Sequence, residues 1–138
     1  MMLSIMDDLS GSGTPVSRVY LELWSRLMDE GFVTLNRPEE MAFHAGFEGQ
    51  RALRTWRDRI RKLDELGFVK LRDGPLGDFS YVLIVNPYHV IKRAHLKGEI
   101  QARKWEAILV RSAELEIGDL DEINEAGHLI DDEDGDED

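Results

Sequence analysis

Between Leu53 and Arg72 the sequence changes its period without a break, and no other stretch limits the possible topologies so tightly. Leu53, Trp56, Ile60 and Leu63 follow at spacings of three, four and three, the period of one helical face. Gly67 then offers the left-handed residue that ends a helix. Phe68-Val69-Lys70-Leu71-Arg72 alternates in strand fashion directly afterwards. Asp73-Gly74-Pro75-Leu76-Gly77-Asp78 is a turn by composition, and Phe79 to Val85 is rich in β-branched and aromatic residues. The pattern predicts a helix over about residues 49–66, then a β-hairpin with a six-residue loop.

Upstream, Ser10-Gly11-Ser12-Gly13 has linker composition, so residues 1–13 are expected to be a flexible N-terminal segment. Thr14-Pro15 supplies a cap and a first-turn proline for a helix whose apolar positions are Val19, Leu21, Leu23, Trp24, Leu27 and Met28. Gly31 closes it, and Phe32 to Leu35 reads as a short strand. Asn36 is expected to cap a helix that opens on Pro38, Glu39 and Glu40, turns Met41, Ala42 and Phe43 inward and ends at Gly46. After the hairpin, Asn86-Pro87 starts a helix to about Lys97, and residues 99–117 continue as a C-terminal helical extension beyond Gly98. Residues 118–138 are expected to be an acidic, largely disordered tail, since Asp131 to Asp138 contains no apolar residue. The class expected is α+β, mainly α: three helices and a hairpin over residues 14–86, extended by helix over 87–117.

The formal charge of −11 is unevenly spread. Residues 1–50 carry −5, residues 51–111 carry +7 and residues 112–138 carry −13, so the middle of an acidic chain is basic. Cysteine is absent, which excludes disulfides and thiolate metal sites. MMLSIM is followed at once by Asp7 and Asp8, unlike a signal peptide, and no run approaches the roughly 18 apolar residues that span a bilayer. A soluble cytoplasmic protein without a membrane partner is expected. His44, His89, His95 and His128 are scattered, and the two-ligand pair His95 and Glu99 is interrupted by Gly98, so neither metal nor cofactor is expected. Gly11-Ser12-Gly13 is not followed by the Gly-Lys-Ser/Thr of a phosphate loop, and no serine sits in a nucleophile elbow. The Asp/Glu pairs fall in the tail or on exposed helix faces, so the chain is read as non-enzymatic.

On a helical wheel, Leu53, Trp56, Ile60 and Leu63 occupy one side of the basic helix, while Arg51, Arg54, Asp58, Arg61 and Lys62 occupy the other, with Thr55 at the edge. The order helix, strand, helix, helix, hairpin over residues 15–86 resembles the winged-helix domain, a helix-turn-helix variant of bacterial transcription regulators and replication-associated proteins. The resemblance is carried by "RIRKLDELGFVKL" (59–71) and "EEMAFHAGF" (39–47). It implies that the basic helix is a recognition helix for double-stranded DNA. Gln50, Arg51, Arg54 and Thr55 would then reach base edges, because arginine pairs with guanine and glutamine with adenine. Arg57, Arg61 and Lys62 would neutralise phosphates, with Lys70 and Arg72 assisting from the strand. The bland reading is a solvated face laced by the i,i+4 pairs Arg54–Asp58 and Arg61–Glu65. Asp73 and Asp78 leave the wing tip without a cation, and Glu39 and Glu40 disfavour a phosphate beside the preceding helix.

The expected function is a winged-helix DNA-binding protein, a transcriptional regulator or a replication or maintenance factor of a bacterial or mobile genome. The alternative is a protein-interaction module or DNA-mimicking adaptor that binds a basic partner through its acidic regions. Trp24, Trp56 and Trp105 are expected in the core. Trp105, Ile108 and Leu109 either cover that core or form the seam of a homodimer, which would read two half-sites. The tail either screens the arginine face at high effective concentration or docks a basic protein.

Overall fold

A computed structural model of the chain describes residues 1–27 and 31–130. Its elements run α1 (Met2–Ser10), α2 (Ser17–Ser25), β1 (Phe32–Thr34), α3 (Pro38–His44), α4 (Ala52–Leu66), β2 (Val69–Gly74), β3 (Gly77–Ile84), α5 (Pro87–Leu96), α6 (Ala102–Glu114) and a 3-10 turn at Asp119–Glu122. The fold is α+β and mainly helical. The chain divides into two compact units, one built on residues 6–85, the other on residues 1–5 with the chain from Asn86 onward. Among the described residues no helix is long and apolar enough to cross a membrane.

In the first unit, a three-stranded antiparallel sheet has the order β1-β3-β2. Val82 of the central strand is paired with both Val33 and Leu71. Strand alternation turns Val33, Val69 and Val82 into the interior, where they join Leu23, Met41, Trp56, Ile60, Leu63 and Phe68. Gly67 closes α4 at φ 90°, where a side chain would be strained, and its N–H bonds back to Asp64 O. The N–H of Phe68 returns to Leu63 O, so the helix hands the chain straight to the strand.

The hairpin loop is shorter than its composition predicts. Gly74 pairs with Gly77, which leaves Pro75 and Leu76 as the turn, after an irregularity between Arg72 and Gly74. Ser80 fastens it: its buried hydroxyl donates to Gly77 O at 2.7 Å and accepts from the Leu76 N–H at 2.9 Å. A Cβ on Gly74 would lie 2.9 Å from Ser80 Cβ, so only glycine fits there.

Residues 2–10, expected to be flexible, form α1, with Met6 and Ser10 buried. The reason is Asp7. Its Oδ1 accepts from the N–H groups of Val16 and Ser17 at 2.8 and 2.9 Å, and its Oδ2 from the Ser17 hydroxyl at 2.7 Å. Those amides open α2 and lack intrahelical partners. Thr14 does not cap α2; its hydroxyl donates to Ser10 O and Gly11 O instead. Asp7→Ala is expected to destabilise the protein by about 1–2 kcal/mol, since it removes a cap and strands buried amides. A shift in the urea midpoint at constant slope measures it.

α2 buries Val19, Tyr20 and Leu23, while Leu21 and Trp24, expected in the core, are 56% and 52% exposed. Phe43 on α3 is 60% exposed, although expected inward. Arg37, not Asn36, occupies the N-cap position of α3. Met28, assigned to the apolar face of the first helix, lies outside the described residues. Tyr20 packs edge-on to Phe68 with ring centroids 6.2 Å apart, and its buried hydroxyl makes no hydrogen bond of good geometry among the described residues. Burial pushes its pKa up to about 12, against a smaller lowering by Trp24. The folded state therefore favours the neutral phenol. Stability from this group is fully present below pH ~10 and is lost as pH rises toward the folded value. Tyr20→Phe is expected to be neutral or slightly stabilising at pH 7 and to flatten the fall in stability above pH ~10, as followed by thermal unfolding across pH.

In the second unit, Asn86 caps α5 by accepting from the Tyr88 N–H at 3.0 Å. Trp105 of α6 stacks on His95 of α5, centroids 3.9 Å apart and planes 10° off parallel. Burial, with a smaller contribution from Lys92, holds the His95 imidazole below its ordinary range. Trp105 and Ile108 are thus interior positions of this unit, while Leu109 is 42% exposed.

The described part of the acidic tail is folded. Leu120 and Ile123 are each 3% exposed, and Ile123 bridges to Leu129. The Asn86 amide donates to Asp119 and the Arg93 guanidinium to Gly127 O, both at 2.9 Å. Asp131 to Asp138, the stretch expected to be disordered, lies outside the described residues.

Candidate nucleic-acid interface

The amphipathic period of α4 determines what it displays. Trp56, Ile60 and Leu63 are fully buried, whereas Leu53 is half-buried. Arg51, Arg54, Asp58 and Arg61, at i, i+3, i+7 and i+10, form an exposed stripe on the opposite face. At 1.5 Å per residue that stripe runs roughly 15 Å. Gln50 is exposed in the turn before the helix, Arg51 holds its N-cap position, and Thr55 is half-buried beside Arg54.

The ion pairs differ from the i,i+4 set expected. Arg61 pairs with Asp58 at 3.2 Å and Lys62 with Glu65 at 3.4 Å, both at i,i+3. The expected Arg54–Asp58 pair does not form among the described residues. Among the described residues neither Arg51 nor Arg54 has a carboxylate within 4.0 Å. Exposed pairs of this kind contribute little to stability.

Phe79 of β3 packs along the other edge of the helix. Its ring lies under the guanidinium carbons of Arg57 and Arg61, 5.8 and 4.8 Å from the centroid. The only signal for it was an aromatic at the start of the β-prone run.

Lys70 and Arg72 form a separate set. They are exposed on β2 at register positions opposite Leu83 and Tyr81, in rows that also hold Phe32 and Thr34 of β1. The nine candidate residues therefore fall into a helical group and a sheet group.

The acidic opening of α3 is less forbidding than its sequence suggests. Glu40 is approached by the guanidinium groups of Arg37 at 3.5 Å and Arg26 at 4.0 Å, so two cations flank it, and the His44 imidazole lies 3.7 Å away. Asp73 and Asp78 remain exposed beside the hairpin tip. No cluster of three or more metal-ligating side chains occurs among the described residues. Compared with protein-family models, with curated proteins and with solved structures, the chain matches none.

Proposed function

We propose that the protein is a non-enzymatic winged-helix DNA-binding protein, a transcriptional regulator or a replication or maintenance factor of a bacterial or mobile genome. One observation carries the reading: Arg51 and Arg54 stand exposed and without a described carboxylate partner at the start of α4, on a helix pinned by Trp56, Ile60 and Leu63. The element order α2-β1-α3-α4-β2-β3 and the sheet order β1-β3-β2 agree with a winged helix. In this reading the first turn of α4 enters the major groove, where Arg51, Arg54 and Gln50 address base edges. Arg61 and Lys62 exchange their surface carboxylates for phosphates, and Lys70 and Arg72 add contacts from the sheet.

An electrophoretic-shift experiment with random-sequence duplex, followed by selection of the bound fraction, tests the reading. Retarded complexes and an enriched site are expected; no retardation at low salt would contradict it.

The acidic tail is proposed to weaken non-specific binding by competing with DNA for the arginine face. Because residues 118–130 are packed into the C-terminal unit, the informative truncation falls after Ile130. Removing residues 131–138 is expected to raise affinity for random duplex at low salt; an unchanged affinity would contradict the competition.

A second reading, docking on another protein, is favoured by the exposure of Leu21, Trp24 and Phe43, large apolar side chains on α2 and α3. It predicts that Trp24→Ser abolishes partner capture while leaving duplex binding unchanged.

A further inference from the structure

Between α4, the link from β1 to α3 and the hairpin turn lies a cleft of about 200 Å³. Leu35, Pro38, Trp56, Leu76 and Phe79 make its apolar walls, and Arg57 its cationic edge. Two of the lining residues carry an unsatisfied donor. The indole Nε1 of Trp56 and the Nε of Arg57 are both buried, and neither has a hydrogen-bond partner among the described residues. Native interiors rarely leave such groups alone. Both groups can only donate, so the missing partner is an acceptor. No described carboxylate lies within 4.0 Å of Arg57, and its guanidinium shares the Phe79 face with that of Arg61. The cleft therefore combines a cationic edge, mostly apolar walls and two lining residues that each carry an unsatisfied donor.

We propose that this cleft binds a small aromatic carboxylate, its ring between the apolar walls and its carboxylate accepting from Trp56 Nε1–H and Arg57 Nε–H. The size agrees: an apolar cavity of about 150 Å³ holds benzene, so about 200 Å³ holds one ring with its carboxylate. Leu76, 54% exposed, stands at the mouth. The ligand is free of DNA chemistry, so the proposal goes beyond the DNA reading and stands or falls separately.

The test titrates the full-length protein, without DNA, with benzoate, following the Trp56 indole and Arg57 Nε–H resonances by 1H–15N spectroscopy. Both signals are expected to move along one saturable curve with a Kd of about 1 mM or tighter. Benzyl alcohol, which keeps the ring and loses the charge, should bind at least about tenfold more weakly. Leu76→Asp at the mouth and Arg57→Gln on the wall should each raise the benzoate Kd by about tenfold or more. Absence of saturable shifts would overturn the proposal, as would equal affinity for benzyl alcohol or insensitivity to both variants. Inorganic phosphate matching benzoate would also overturn it, by assigning the two donors to a phosphate rather than to an aromatic acid.

Discussion

Trp56→Ala is expected to destabilise the unit of residues 6–85 by about 3–5 kcal/mol, the largest effect of any single substitution in α4. Trp56 is fully buried and shares its helical face with Ile60 and Leu63. Truncation to alanine removes the transfer free energy of the indole and leaves a cavity next to the cleft that Trp56 already lines. Against a typical total of about 5–15 kcal/mol, such a loss leaves a marginal fold. The urea midpoint should fall steeply with little change in slope, whereas Trp56→Phe should fall much less, because it keeps a six-membered aromatic ring and deletes a buried N–H that has no partner among the described residues. Equal midpoints for Trp56→Ala and the parent would mean that α4 is not anchored through this side chain.

Arg51→Ala with Arg54→Ala is expected to do the opposite: leave stability within about 0.5 kcal/mol and remove binding. Both side chains are exposed and lack a described ion pair, so the folded state loses little. If each addresses a base, each costs about 1–3 kcal/mol on a selected site, tenfold to more than a hundredfold in affinity. Lys62→Ala serves as the contrast, since Lys62 already holds Glu65 at 3.4 Å; it should weaken all duplexes modestly and alike. Competition titrations on selected and random duplex separate the two outcomes. If the double variant bound the selected duplex as the parent does, the recognition assignment of α4 would fail.

What the sequence made legible was whatever is encoded locally. The α4 stripe, the glycine stop at Gly67, the alternating hairpin and the Asn86 cap each depend on residues within a few positions of one another. Elements fixed by distant partners were hidden. α1 depends on Asp7 reaching the amides that open α2, and a Ser-Gly-Ser-Gly run between them reads as linker. Residues 118–130 are held by Leu120, Ile123 and bonds from Asn86 and Arg93, too sparse a pattern to stand out among carboxylates. The hairpin turn is tighter than its composition suggests because its clamp, Ser80, lies in the following strand. At the site, the wheel placed the exposed arginines of α4 without help from tertiary structure. It gave no access to Phe79 beneath Arg57 and Arg61, or to the cations around Glu40, because those contacts join separate elements.

The central claim, that the arginine face of α4 meets the DNA polyanion, is tested most directly by the salt dependence of duplex binding. Each phosphate neutralised contributes a slope of about −0.9 in log K against log salt. The account predicts tight binding at low salt and a slope of roughly −3 or steeper for the parent, with a weaker and shallower response once Arg51, Arg54 and Arg61 are replaced by alanine. A flat response in the parent, or one that the triple replacement leaves unchanged, would contradict it.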